Sequence, residues 1–175
     1  MRCLATRKVP SLKRTFGGKK AFHEKLVLGR SRAFADEPEG LVLAPLEVAY
    51  IFNFVQWTNG RKDILQPLLE RVQHKLDELT KCSDASSDMR YFDKLAYLTF
   101  LRAVFLKHLG NWPEAMALFQ DVYSWREQIA TDHHLPAQAA YELGLGHRHA
   151  QDYELASSWL HKAHRRCSAA MLSIT

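Results

Sequence analysis

Apolar positions return at helical intervals through most of this chain. Between residues 45 and 57, Leu46, Ala49, Tyr50, Phe54 and Trp57 recur at steps of three and four, the spacing that places side chains on one face of an α-helix. Pro45 suits a first helical turn, and Asn59 with Gly60 supplies a stop. A second helix is expected from residue 63 or 66 to 81, with Leu65, Leu68, Leu69, Val72, Leu76 and Leu79 on one face and Pro67 in its first turn. The polar run KCSDASSD reads as a loop. After it, FDKLAYLTFLRAVFLKHL predicts a strongly apolar helix ended by Gly110. Pro113 opens the next helix, which carries Ala115, Leu118, Phe119, Val122 and Trp125 up to a break at TDHHLP, residues 131–136. Two more helices are expected at 137–149 and from about residue 153 past Ala163. Ahead of them all, 22–32 reads as a short helix and ADEPEG as a loop, because Pro38 and Gly40 interrupt helix. No alternating, β-branched segment competes, so the pattern predicts an all-α chain with about six main helices. They form a domain at 41–167, between an arm at 1–40 and a tail at 168–175.

Within that domain the pattern repeats. Ala103 and Gly144, Trp112 and Tyr153, Ala115 and Ala156, Phe119 and Leu160, and Val122 and Ala163 all stand 41 residues apart, small matching small and large matching large. A small residue on the first helix, an aromatic after the turn and a small residue on the second helix form the pattern of a tetratricopeptide repeat. The period exceeds the usual ~34 residues, but seven extra residues are nearly two helical turns and rotate the buried stripe by only about 20°. A weaker unit precedes the pair at an offset of 50, setting Gly60, Leu65, Leu69 and Val72 against Gly110, Ala115, Phe119 and Val122. The expected architecture is thus a tetratricopeptide-like solenoid of α-α hairpins.

Four segments extend the likeness: KVPSLKRTFGGKKAFHEKLVLGRSRAF, LAPLEVAYIFNFVQW, FLKHLGNWPEAMALFQDV and DHHLPAQAAYELG. In this order they resemble the C-terminal part of the tetratricopeptide-repeat protein 39 family, related to the fungal inclusion body clearance proteins. The resemblance covers most of residues 8–164. Family members are longer, with a large helical region ahead of this part, so the resemblance implies a fragment, a short isoform or a reduced paralogue. It ends near Cys167, where SAAMLSIT replaces a further helix. It also implies an all-helical, non-enzymatic scaffold.

In tetratricopeptide folds the concave face is built mainly from the first helix of each hairpin. Mapped onto this chain, it takes Tyr50, Phe100 and Tyr141, then Phe54, Val104 and Leu145, then Trp57, Lys107 and Arg148, with His108 and His149 alongside. Such a groove is aromatic at one end and cationic at the other. It suits a protein or peptide with an apolar face and a carboxylate or phosphate, which Arg grips through two parallel hydrogen bonds. The same stripe also fits a core packed on the chain's own N-terminal segment. The chaperone-tail clamp of some tetratricopeptide proteins needs Lys and Asn at the inner positions, where this sequence has Phe100, Val104, Tyr141 and Leu145.

Charge adds a second candidate. Ten of the 24 Lys and Arg fall in residues 1–35 beside the single acid Glu24, which leaves the body mildly acidic despite a net charge of +5. The acidic body argues against nucleic acid as a partner. The arm is open to several readings: contact with an anionic membrane or RNA, a mitochondrial presequence weakened by Pro10 and the double glycine, or an internal segment of a longer relative. Its use at a membrane surface is the alternative to the scaffold.

Cys3, Cys82 and Cys167 form no CxxC pattern and suit a reducing compartment, so the cytoplasm is the expected location. The apolar stretch 41–55 contains Pro45 and Glu47 and falls short of the ~20 residues of a membrane span. Nine histidines include the pairs His133–His134, His147/His149 and His161/His164, but none has the cysteine or carboxylate partners of a metal site. Nucleotide-binding, hydrolase and kinase motifs are absent, so neither catalysis nor a cofactor is expected. Solenoid ends without polar caps leave apolar faces, from which self-association or marginal stability is expected.

Overall fold

The computed structural model describes residues 43–51, 54–81 and 90–172. They fall into two compact units, Met1–Phe52 and Asn53–Thr175. The expected helix at 22–32, the loop at 35–40 and the loop after residue 81 lie outside the described residues. In the first unit, α1 is Ala44–Ile51, opened by a hydrogen bond from the Leu46 N–H to the Leu43 carbonyl, 2.9 Å.

Residues 52 and 53 of the helix expected from 45 to 57 lie outside the described residues; in the second unit α2 is Phe54–Trp57. Asn59 and Gly60 stop it in the left-handed region, at φ 49° and 73°, and the Thr58 hydroxyl donates to the Val55 carbonyl at 2.7 Å. Helix α3, Lys62–Lys81, starts ahead of its expected first turn and takes Pro67 inside it. The left-handed turn is the reason: it ends at Gly60, after which the Arg61 carbonyl accepts the Leu65 N–H at 3.0 Å; Leu65 itself is fully buried. Proline costs this helix one hydrogen bond, to the Asp63 carbonyl.

Helix α4, Tyr91–His108, is the centre of the unit. Eleven of its residues are buried, from Asp93 to Leu106, on every side of the helix. Helix α5, Trp112–Ser124, ends sooner than expected and passes into a 3-10 turn at Trp125–Glu127. Helix α6, His134–His149, begins within the expected TDHHLP break. Pro136 falls in its first turn, where a backbone N–H has no helical acceptor and none is lost. Helix α7, Tyr153–Leu172, closes the unit. From α3 onward each helix packs on the next, α2 touches α4, and α4 also touches α6. The described residues are helices and turns, without a strand. The fold is all-α.

Two hairpins, α4–α5 and α6–α7, repeat each other closely. Their first helices end at His108 and His149, and their second helices start at Trp112 and Tyr153, the offset read from the sequence. Both turns use one hydrogen-bond scheme. The Gly110 and Asn111 N–H groups donate to Lys107 and Leu106, and the Gln151 and Asp152 N–H groups donate to Arg148 and His147, at 2.9 to 3.1 Å. This is the Schellman closure, which needs a left-handed residue: Gly110 at φ 89° in one hairpin and Gln151 at 63° in the other. The small residues of the pattern are tightly packed. Ala103, Ala115 and Ala156 are buried, and a Cβ added to Gly144 would lie 2.7 Å from Leu160 Cγ. At the offset of 50, Leu65 and Val72 are buried like Ala115 and Val122, whereas Leu69 is only half-buried where Phe119 is buried.

Asp93 locks the two hairpins together. Its buried carboxylate accepts the N–H groups of Ala130, Thr131 and Asp132 at 3.2, 2.9 and 2.8 Å and the Thr131 hydroxyl at 3.0 Å. The chain leaving the 3-10 turn is thereby fixed to α4 just before α6 begins.

Candidate functional site

The eleven residues expected to line a groove have very different surroundings. Tyr50 lies half-buried on α1 in the first unit. In the second unit Phe54 opens α2 and Trp57 ends it, 79% exposed. Phe100 and Val104 are corrected outright: they are 0% and 1% exposed and belong to the interior, not to a groove wall. The physical reason is that α4 is enclosed on every side. The Phe100 ring packs on Phe119 at 5.5 Å.

Lys107 is corrected too. Its ammonium donates to a Glu142 carboxylate oxygen at 2.7 Å, the two side chains being 10% and 8% exposed. An enclosed pair of this kind fixes α4 to α6 and presents no net charge to a partner. Breaking it would leave a buried charge alone, a large cost. His108 beside it is half-buried. Burial, with the Lys107 charge as a second cause, pushes its imidazole down to about 4, so it is neutral near pH 7.

The residues on α6 behave otherwise. Tyr141 is 50% exposed, Leu145 is half-buried, and Arg148 and His149 are exposed. His149 is engaged through its ring, stacked on Trp112 at 4.6 Å and 16°. Tyr141, Leu145 and Arg148 succeed one another at steps of four and three, so they form one ridge along α6. Arg148 then joins α7 across the turn. With Tyr153, Ala156, Ser157, Leu160 and His161 it lines an open depression of about 540 Å³. Apolar walls with one guanidinium at the rim can hold an apolar segment and orient it by a single anionic contact.

Sequence reasoning missed Glu142, which neutralises Lys107 from 35 residues away, and it missed the α7 half of the depression. The signal for that half was present, since Tyr153 is the repeat counterpart of Trp112. Other cations nearby are occupied: Lys162 lies 3.9 Å from the Trp159 ring centroid, and Arg126 and Arg166 face the Tyr123 ring at 5.2 and 5.5 Å.

Among the described residues, no group of three or more His, Cys, Asp or Glu could hold a metal ion. His161 directs its Nδ1 to the Ser157 carbonyl, 2.9 Å. No helix among them is long and apolar enough to cross a membrane. The cationic arm at 1–35 lies outside the described residues. A scan against protein-family models returned no match, and no solved structure matches the chain significantly.

Proposed function

We propose that this chain is a non-enzymatic interaction scaffold whose helical hairpins stack as a tetratricopeptide-like solenoid and bind a protein partner through the open side of α6–α7. The observation that carries the reading is the contrast within one repeat. Tyr141, Leu145 and Arg148 are exposed or half-exposed, while their counterparts Phe100 and Val104 are closed in the core and Lys107 is closed in an ion pair. Half-exposed aromatic area beside an unburied guanidinium is the composition that interface anchors favour. The matched turns, the shared 41-residue offset and the resemblance to the tetratricopeptide-repeat protein 39 family support the solenoid. The reading assigns the work to the cytoplasm, where three cysteines without a pairing pattern stay reduced.

Proximity labelling in cells tests it by comparing the intact chain with a Tyr141→Ala/Arg148→Glu variant of unchanged helical circular dichroism. A set of neighbours lost from the variant is expected. Identical neighbours for both proteins would defeat the assignment of function to this surface.

A further inference from the structure

The first hairpin records what its successor must offer in order to dock. Four residues of α4–α5 receive the second hairpin. Lys107 pairs with Glu142 at 2.7 Å, and Trp112 stacks on His149 at 4.6 Å. Met116 lies so close to Gly146 that an added Cβ would collide with its sulfur, and Tyr123 meets the Trp159 ring edge-on at 5.0 Å. Their counterparts 41 residues on are Arg148, Tyr153, Ser157 and His164. All four line the depression on α6–α7. The open surface is therefore the same docking seat, one repeat further along, and the covered copy specifies the chemistry of the occupant.

We infer that this seat binds an amphipathic helix of a partner protein that carries a carboxylate, a small residue four positions later and a ring seven positions later. That is the spacing of Glu142, Gly146 and His149 on α6, which puts all three on one face. The carboxylate meets Arg148, whose fork donates to it in two parallel hydrogen bonds. The small residue lies over Ser157, which is shorter than Met116 and leaves room for alanine as well as glycine. The ring lies against Tyr153, 67% exposed. A folded second copy of this chain is poorly suited to the seat, because its own Glu142 and Gly146 are buried. The inference rests on the scaffold reading and names the partner class for that surface.

A peptide spanning residues 134–166, which carries the three-residue pattern, serves as the probe. It is titrated calorimetrically into the full chain. One-to-one binding is expected, weakened about tenfold by Arg148→Glu in the chain and restored when the probe carries Glu142→Arg. Ser157→Trp, which fills the seat without touching the core, should abolish it. Circular dichroism confirms that both chain variants remain folded. Absence of binding, or binding indifferent to Arg148→Glu, overturns the inference; the latter marks a probe that displaces the chain's own α6–α7. Light scattering covers the remaining occupant, since a dimer dissolved by Arg148→Glu would make the seat a contact between copies and sink the heterologous helix. Loss of cellular neighbours in the Tyr141→Ala/Arg148→Glu variant without probe binding would leave the scaffold standing and discard only the helix pattern.

Discussion

Lys107 and Arg148 occupy the same place in successive hairpins, each one residue before the end of its helix. Lys107 is sealed in an ion pair with Glu142, while Arg148 reaches solvent at the rim of a depression. Phe100 and Tyr141 differ in the same way, the one in the core and the other half-exposed. Equivalent positions in the two hairpins thus differ in environment although their local structure is the same. A side chain that builds the core in the first hairpin is exposed in the second, with the same helix and turn around it.

Four experiments probe that contrast. The largest effect is expected from Asp93→Ala, which unfastens the second hairpin from the first. It leaves the N–H groups of residues 130–132 without their shared acceptor, and urea unfolding should show a loss of about 4 kcal/mol. Next is Glu142→Ala, which strands Lys107 in the interior at a cost of about 3 kcal/mol. The double variant Lys107→Met/Glu142→Leu should recover most of it. Arg148→Ala, at the equivalent exposed site, should change stability by less than about 0.5 kcal/mol. Equal costs for Glu142→Ala and Arg148→Ala would erase the distinction between the hairpins.

A pH series comes third. The folded imidazole of His108 titrates near 4, below its ordinary 6.5. The unfolded chain therefore binds this proton first as pH falls. Stability from this group is complete above about 6.5 and is lost between 6.5 and 4. The loss is on the order of 1 kcal/mol after screening by water, read as the difference between the native chain and His108→Gln. The smallest effect compares the two turns. Gln151→Gly should raise stability by about 0.5 to 1 kcal/mol, because a side chain at φ 63° is strained, and Gly110→Ala should lower it by a similar amount.

Helices were legible in the sequence wherever an apolar stripe met a stop signal. The turns at Gly60 and Gly110 and the starts at Trp112 and Tyr153 lie where the glycine, the proline and the repeat placed them. The errors have common physical roots. Pro67 and Pro136 read as boundaries in the sequence, but Pro136 sits in a first turn, where no hydrogen bond is lost, and α3 carries Pro67 inside it at the cost of one. Inward and outward positions of α4 were beyond periodicity, because a helix apolar on all sides has no preferred face. Analogy between repeats assigns Phe100 and Val104 to a wall. Their burial depends on the packing of neighbouring helices around α4, which a local pattern does not encode. Glu142 shows the same limit: nothing near it on α6 names Lys107 as its partner. Within the candidate surface, Tyr141, Leu145 and Arg148 were legible as one ridge, whereas the α7 half required the repeat to be carried through to its last member.

The enclosure of α4 has a consequence for synthesis. This helix emerges from the ribosome before α6, which packs beside it. The intervening residues take on the order of a few seconds to add. For that interval the nascent chain displays Phe100, Leu101, Val104 and Phe105 without the helix that packs beside them. Holdase chaperones should therefore engage this chain most strongly while α4 has emerged and α6 has not, and release it once the second hairpin closes.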